Sequence, residues 1–312
     1  MPSELYSSLL HQPVLYQETL AALRPSPSAR FLDGTLGAAG HAMGILKATN
    51  PDGLLIGLDV DPQALSIARE RLEEFGKRAK LFKASYAQMA EICHAEGFLA
   101  LDGILLDVGA SSMQFDRAER GFSFRKEGPL DMRFDPEASL SADEIVNSWP
   151  EEELANIIYR FGEERKSRRI ARAIVNARPL GTTKELADLI LRTIKAKRGS
   201  IHPATRTFQA LRIAVNEELD SLERVLPQTL ELLSSGGRLA VISFHSLEDR
   251  IVKQFMRRES QDCICPPEQL VCTCGHVASI KEIVRRPIRP QGAELSTNPR
   301  ARSARLRVGE KI

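Results

Sequence analysis

Short apolar runs alternate with stretches of helical periodicity over the first 135 residues, a pattern typical of βαβ units and a parallel sheet. The runs predict strands at residues 29–33, 54–58, 80–83 and 103–107. Helices are predicted between them, from about Gly40 to Ala48 and again after Asp61-Pro62, where a capping residue and a proline open a helix. This part of the chain is therefore predicted to be α/β.

Helical signals replace most strand signals from about residue 140 onwards. They predict several helices up to residue 205, one helix over residues 205–226, a strand at 238–244, and a last edge strand at 305–308. We therefore expect a discontinuous α/β domain of residues 1–138 and 206–312, interrupted by a small helical domain of residues 139–205.

The composition is that of a globular protein without a membrane span. Hydrophobic residues make up 43% of the chain and charged residues 27%, which excludes disorder and a coiled coil. The longest apolar runs, 54–58 and 239–244, are far too short to cross a bilayer. The first residues lack a basic-then-apolar leader, and the cysteines do not form a spread-out disulfide framework, so we expect a cytoplasmic protein.

Positive charge is concentrated in two segments. Residues 160–212 carry 14 basic and 4 acidic side chains, and residues 281–312 carry 9 and 3. Such local surpluses favour a polyanionic partner. The alternative is that long basic side chains only solvate helix faces, and composition does not separate RNA from DNA.

A glycine-rich turn, Asp33-Gly-Thr-Leu-Gly-Ala-Ala-Gly-His41, joins the first predicted strand to a helix. Asp59 ends the second strand, where a carboxylate can accept hydrogen bonds from both hydroxyls of a ribose. The glycine spacing differs from the G-x-G-x-x-G of dinucleotide enzymes, and the acid before it suits a ligand with a positive end. The pattern predicts a nucleoside site and favours S-adenosylmethionine over NAD, although a tight turn alone also needs small residues.

Two further segments leave strands at the same predicted edge of the sheet. Asp107 ends the fourth strand before a small polar loop, and His245 follows the strand at 238–244. His245 is interpreted as a base, a stacking platform for a nucleobase or a structural residue. Aromatic and arginine residues alternate over 120–134, where they either stack bases and hold phosphates or pack on the core.

Four of the five cysteines, Cys263, Cys265, Cys272 and Cys274, lie within twelve residues. Their paired C-x-C spacing is tighter than the usual C-x2-C of zinc knuckles, so a tetrathiolate zinc site and free thiols both remain open. No residue is assigned as a metal ligand on this basis.

Long motifs occur in a fixed order throughout the chain. They are His11-Gln-Pro-Val-Leu15, Asp33 to His41, Gly103 to Gly109, Glu119-Arg-Gly-Phe-Ser-Phe124, Gly128-Pro-Leu-Asp-Met-Arg133, Phe161-Gly-Glu-Glu-Arg165, His202 to Gln209, Ile242 to Val252 and Asn298-Pro-Arg-Ala-Arg-Ser303. Together these motifs resemble the RsmH (MraW) family of ribosomal RNA small subunit methyltransferases. One departure is Gly37-Ala-Ala-Gly-His41, where the family often has glycine in place of Ala39.

The resemblance implies an α/β class I S-adenosylmethionine-dependent methyltransferase (Rossmann-like) with an inserted small helical domain. It also implies transfer of a methyl group from S-adenosyl-L-methionine to N4 of a cytidine in 16S rRNA, in the decoding region of the small ribosomal subunit. The implied partner is 16S rRNA or the small subunit, with no membrane. The cofactor contacts it implies are Ala39, Gly40, His41, Asp59, Tyr86, Asp107 and Gln114.

The residues suggest how the N4 amino group is activated. The Asp/Asn/Ser-Pro-Pro-aromatic motif common in amino-methyltransferases is absent after the fourth strand, where Asp107 and its loop stand instead. We hypothesise that Asp107 or a loop carbonyl accepts a hydrogen bond from N4, and that His245 or an aromatic residue of the 122–134 loop holds the flipped base.

The competing hypotheses are a nicotinamide-dependent oxidoreductase and a non-catalytic RNA-binding assembly factor.

Overall fold

The structure, a computed structural model, describes residues 13–194, 202–269 and 271–312. His11 and Gln12 of the first family motif, and the basic residues at 195–198, lie outside these ranges. The chain divides into two compact units, one of Met1–Gly109 with Leu219–Ile312 and one of Ala110–Glu218. The second unit therefore takes in residues 110–138 and 206–218, beyond the expected helical domain of 139–205.

The first unit is built on one seven-stranded sheet with the order β3-β2-β1-β4-β5-β7-β6. Its strands are β1 (Arg30–Asp33), β2 (Leu54–Asp59), β3 (Ala79–Lys83), β4 (Leu101–Asp107), β5 (Leu233–Ser243), β6 (Ile280–Glu282) and β7 (Arg305–Lys311). The first five are paired in parallel, and β7 runs antiparallel between β5 and β6. This topology confirms the predicted α/β class.

Helices cover both faces of the sheet, and alternate strand residues face opposite layers. Phe31, Leu55 and Leu105 lie in one buried cluster, whereas Leu32, Ile56 and Ile104 lie in the other. The helices of this unit are α1 (Tyr16–Leu23), α2 (Gly40–Ala48), α3 (Pro62–Leu72), α4 (Met89–Ala95), α11 (Glu218–Leu232), α12 (Ser246–Glu259) and α13 (Gly292–Thr297). Helices α1, α2 and α3 pack in the first cluster, and α4, α11 and α12 in the second.

The second unit is helical and has its own core. Its helices are α5 (Ser112–Asp116), α6 (Ala142–Ser148), α7 (Glu151–Gly162), α8 (Ser167–Ala177), α9 (Thr183–Thr193) and α10 (Ala204–Asn216). Phe122, Leu130 and Met132 are buried in the same cluster as Phe208 and Leu211. Because residues before 139 and after 205 help to form this core, the helical unit is longer than the sequence predicts. No helix in the described ranges is long and apolar enough to span a membrane.

The structure corrects two predicted elements. The helix expected over residues 205–226 breaks at Glu217, which has a left-handed backbone (φ 48°) between α10 and α11. Asn216 just before the break donates to the Met132 carbonyl oxygen and accepts from the Phe134 amide, so tertiary contacts fix the point at which the helix ends. The tail strand, β7, is not at the sheet edge, since β6 pairs outside it.

Candidate active site

Three buried or half-buried aspartates end neighbouring strands of the sheet. Asp33 is the last residue of β1, Asp59 of β2 and Asp107 of β4. The chain runs outward from β1 to β3 and then crosses to β4, so β1 and β4 flank the point at which the strand order reverses. Ligands of open α/β sheets bind beside the carboxyl ends of strands at such a point. The predicted residues Asp59 and Asp107 therefore lie where a ligand is expected.

Hydrogen bonds attach the turn after β1 to the strands on either side. The Thr35 hydroxyl oxygen accepts from the Asp107 amide at 2.6 Å, which joins the turn to the end of β4. The Asp59 carboxylate accepts from the Gly37 amide at 2.8 Å and from the Asp61 amide at 2.9 Å. Each carboxylate oxygen has further lone pairs, so Asp59 can hold the turn and still accept from a ligand.

Backbone conformation and close packing each restrict the size of the side chains in the turn. Gly37 and Ala39 have left-handed backbones, with φ of 51° and 60°. A Cβ on Gly40 would lie 2.3 Å from Cγ of Pro13, so close packing excludes a side chain there. The Ala39 methyl group is fully buried in the core cluster of this sheet face. The departure from glycine therefore fills core space, and the contact of Ala39 with a cofactor stays a prediction.

Burial makes all three carboxyl groups unusually basic. The pKa of Asp33 rises to about 7, because burial and the neighbouring Asp59 outweigh its hydrogen bonds. Burial likewise raises the pKa of Asp59 to about 6. The pKa of Asp107 lies well above its usual value because of burial and the charges of Asp33 and Glu248. One oxygen of Asp107, Oδ1, is buried and has no hydrogen-bond partner among the described residues.

His41 is the second residue of α2, lies beside these acids and is uncharged at neutral pH. Burial lowers its pKa to about 4, because the imidazolium form loses its hydration. The 3.8 Å between its Nε2 and Oδ2 of Asp107 is therefore not an ion pair at pH 7. The ring stacks on Tyr16 with centroids 5.9 Å apart. His41 thus contributes a neutral polar ring to this edge of the sheet.

Tyr86 follows β3 and lies against the first glycine of the turn. Ser85 caps the short 3-10 turn Tyr86–Gln88 and sets the position of the half-buried tyrosine. A Cβ built on Gly34 would be 3.1 Å from Cβ of Tyr86 and 2.7 Å from Leu106. The glycine therefore lets the tyrosine approach the carboxyl end of the sheet, and its place beside an adenine stays a prediction.

His245 has a structural explanation in its own contacts. It is the N-cap of α12, and its Nδ1 accepts weakly from the Glu248 amide at 3.4 Å. Its Nε2 lies 3.0 Å from Oε1 of Glu248. The same buried glutamate accepts through Oε2 from the amides of Phe244 and His245. These contacts support a helix-capping role, and the catalytic role of His245 remains a prediction.

Gln114 belongs to the second unit, where it is the third residue of α5. Its side chain accepts from the Ser111 amide at 2.9 Å and completes a capping box. Its expected contact with a cofactor stays a prediction. The sequence-based prediction missed Thr35 and Glu248, although both lie within motifs quoted for the family, because only the folded backbone shows what they contact.

The aromatic and arginine segment over residues 120–134 packs inside the second unit. Phe122 is buried and stacks on Phe134 with centroids 5.6 Å apart. Arg120, also buried, donates to the carbonyl oxygens of Arg133 and Phe134 at 2.9 Å. Phe124 packs on Phe208. These contacts favour the core interpretation of the segment over base stacking.

Part of the positive charge is also structural. Arg305 and Arg307 of β7 donate to the buried Asp249 of α12 at 2.8 and 2.7 Å. Burial alone would raise the pKa of Asp249, but the two arginines hold it below its usual value. Arg238 of β5 also forms an ion pair within this sheet, with its Nη2 2.8 Å from Oε2 of Glu310 in β7. The surplus over residues 281–312 is therefore partly used within the fold.

An open basic cleft of about 440 Å³ lies between α7 and α8 of the second unit. The residues lining it are Ala155, Asn156, Tyr159, Arg165, Lys166, Ser167, Arg168 and Arg169. Tyr159 is 61% exposed, which is unusual for a large aromatic side chain. An exposed aromatic ring among cationic side chains has the chemistry to stack a base and hold phosphates.

The strand order, with β7 antiparallel between β5 and β6, is that of the class I methyltransferase fold. A sequence model of the MraW methylase family matches residues 8–312, and the chain belongs to this family.

Curated relatives match nearly the whole chain. It is similar to a protein of Geobacter sulfurreducens named ribosomal RNA small subunit methyltransferase H, with 52% identity covering 97% of this chain and 99% of the relative. A protein of the same name from Dehalococcoides mccartyi is 51% identical, covering 97% and 86%. A crystal structure of an rRNA methylase from Streptococcus thermophilus covers 97% of this chain and 99% of its own, at 9% identity and a TM-score of 0.44.

Proposed function

We propose that the protein transfers a methyl group from S-adenosyl-L-methionine to the exocyclic N4 of a cytidine in 16S rRNA, in the decoding region of the small ribosomal subunit. The observation that carries the cofactor assignment is the group of three buried aspartates with raised pKa values at the strand ends. Family membership and the names of the curated relatives support ribosomal RNA as the acceptor. A cytoplasmic location fits such a substrate.

The chemistry of the donor set fits this cofactor. S-adenosylmethionine supplies an electrophilic methyl group on a sulfonium, and it also carries an ammonium group and a ribose diol. Asp59 would accept from the ribose hydroxyls while it holds the turn. Asp33 and Asp107 would face the positive charges, which would offset the cost of burying two carboxylates. Tyr86 and the backbone of Ala39, Gly40 and His41 would complete the cofactor contacts, and Gln114 remains a further predicted contact.

We assign Asp107 the role of binding the N4 amino group that accepts the methyl group. The lone pair of a cytosine N4 is delocalised into the ring, so it attacks only when the amino hydrogens are held and the nitrogen is placed in line. Oδ1 of Asp107 is buried without a partner among the described residues and can accept from N4. The raised pKa of this carboxyl also suits it to take the proton that the amine releases after methylation.

The cleft between α7 and α8 is our proposed contact for the RNA. We expect Tyr159→Ala to weaken binding of a small-subunit RNA fragment about tenfold through lost stacking. Tyr159→Phe is the matched control and should bind like the wild type, because the ring is retained. Substituting Arg168 and Arg169 by alanine should lower the salt dependence of binding, since fewer phosphates are neutralised. Equal affinities for Tyr159→Ala and Tyr159→Phe in fluorescence anisotropy would exclude the stacking contact.

A methyl-transfer assay with identification of the product nucleoside tests the proposed reaction. Small subunits or 16S rRNA lacking the modification are incubated with radiolabelled S-adenosylmethionine, and digested RNA is analysed by chromatography. The expected product is N4-methylcytidine, absent with an Asp59→Ala variant that remains folded. A methylated nucleoside of another kind would overturn the N4 assignment. RNA binding without methyl incorporation would favour the assembly factor, and NAD binding without S-adenosylmethionine binding would favour the oxidoreductase.

A further inference from the structure

The four clustered cysteines converge in the loop that connects α12 to β6. The sulfur atoms of Cys263, Cys265, Cys272 and Cys274 all lie within 4.8 Å of one another. All four thiols are free, so the cluster is not held by disulfides. The remaining cysteine, Cys93, is buried in the core of the α/β unit and takes no part. Convergence of four sulfurs from the two ends of a twelve-residue segment is the first evidence for a common ligand.

The spacing of the sulfurs fits a tetrahedral metal site. A tetrahedron of thiolates at the Zn–S distance of about 2.3 Å has sulfurs separated by about 3.8 Å. The sulfurs of Cys272 and Cys274 are 3.6 Å apart, and those of Cys274 and Cys263 are 3.9 Å apart. A disulfide would require about 2.05 Å. The cluster thus has the dimensions of a coordination sphere.

Backbone amides point at the sulfurs from within the loop. The amides of Ile264 and His276 donate to Sγ of Cys274 at 3.4 and 3.5 Å, and the Cys265 amide donates to Sγ of Cys263 at 3.4 Å. Donors of this kind stabilise negative charge on sulfur and orient metal-bound thiolates. The backbone amides of the loop therefore donate hydrogen bonds to the cysteine sulfurs, as expected around thiolates.

The loop has no hydrophobic core that would otherwise define its conformation. Across the described residues of 261–278 no side chain is buried, and the apolar Val271 and Val277 are 72% and 71% exposed. Short segments without a core are usually held by a disulfide or a metal. At the base of the loop, His276 Nε2 lies 3.1 Å from the carbonyl oxygen of Arg258 in α12, so this histidine anchors the segment to the helix.

We propose that Cys263, Cys265, Cys272 and Cys274 bind one Zn²⁺ ion as a structural tetrathiolate site that fixes the α12–β6 loop. Four soft thiolates in a tetrahedral arrangement select zinc among the common divalent ions. The four ligands fill the coordination sphere and leave no position for a substrate, so the ion has a structural and not a catalytic role. The site is independent of the proposed methyl transfer, and its test does not use that activity.

Metal analysis of the purified full-length protein tests the site directly. Elemental analysis by inductively coupled plasma mass spectrometry should find about one zinc ion per chain. Replacing zinc with Co²⁺ should give the visible bands of a tetrahedral thiolate complex together with sulfur-to-cobalt charge transfer. The double variant Cys272→Ser/Cys274→Ser should lose both signals, whereas Cys93→Ser, a cysteine substitution outside the cluster, should retain them. Circular dichroism checks that each variant is folded.

Proteolysis provides a second measurement on the wild-type chain. Glu268 is an exposed residue inside the loop, and a glutamate-specific protease should cut there at least about tenfold faster after chelation of the metal. Zinc, but not magnesium, should restore protection. The proposal is overturned if protein purified under reducing conditions neither contains nor takes up zinc or cobalt. Metal content equal in the wild type and the double variant would overturn it as well.

Discussion

Asp59→Ala is expected to weaken S-adenosylmethionine binding by about 100-fold or more. Asp59 is the last residue of β2. Its two carboxylate oxygens already accept hydrogen bonds from the backbone amides of Gly37 and Asp61. In the proposed complex it also accepts from two ribose hydroxyls. Hydrogen bonds to a charged group contribute about 1.5–3 kcal/mol each, so losing two corresponds to at least two orders of magnitude in Kd. Isothermal titration calorimetry of the purified variant measures this loss.

A matched control separates the ribose contact from a general loss of structure. Asp102 in β4 also accepts a backbone amide, that of Arg30 at 2.7 Å, but it lies at the opposite end of the strand from Asp107. Asp102→Ala should leave the cofactor affinity unchanged. Wild-type affinity in a folded Asp59→Ala variant would show that the nucleoside lies elsewhere. An equal loss in both variants would point to the stability of the sheet instead of the site.

The sequence alone predicts the strand ends well, because β2 and β4 are mostly apolar and because β1, β2 and β4 each stop at an aspartate. Helix α2 follows the predicted bounds, since glycine opens the turn before it and a polar segment follows its last apolar residues. These signals lie within short stretches of the sequence, so they can be interpreted without knowledge of the tertiary structure. The same signals identified Asp59 and Asp107 as residues at one edge of the sheet, which parallel pairing then brings together.

Other features depend on contacts between distant segments and were not predictable. The apolar stripe continues across Glu217, so no periodicity marks the break between α10 and α11, which the side chain of Asn216 fixes instead. Phe122 and Arg120 have the composition of an RNA-binding loop, but their burial assigns them to a core. The sequence leaves His245 open between a base, a stacking platform and a structural residue, because its capping contact with the Glu248 amide is seen only in the folded chain.

The buried acids also couple the stability of the protein to pH in an unusual direction. Asp33 has a pKa of about 7 in the folded chain and an ordinary value of 3.8, so the folded state binds more protons than the unfolded state between these values. The free energy of unfolding therefore falls as pH rises through this window, and the loss is complete above pH 7. Asp59, with a pKa of about 6, contributes in the same direction. A cationic ligand requires the charged carboxylates, so its binding should strengthen as pH rises over the same range.

Asp33→Asn should consequently stabilise the ligand-free protein at pH 8 while it weakens cofactor binding. The amide keeps an acceptor for the Thr35 amide but carries no charge to bury, and we expect the free energy of unfolding to rise by about 2 kcal/mol. The gain should vanish at pH 4, where the wild-type carboxyl is protonated. Urea denaturation at both pH values measures it, with Asp102→Asn as the exposed control. Calorimetry should show S-adenosylmethionine affinity reduced at least about tenfold, because the cation loses a buried counter-charge. A variant that is less stable than the wild type at pH 8 and binds the cofactor normally would show that the charge on Asp33 serves the fold instead of the ligand.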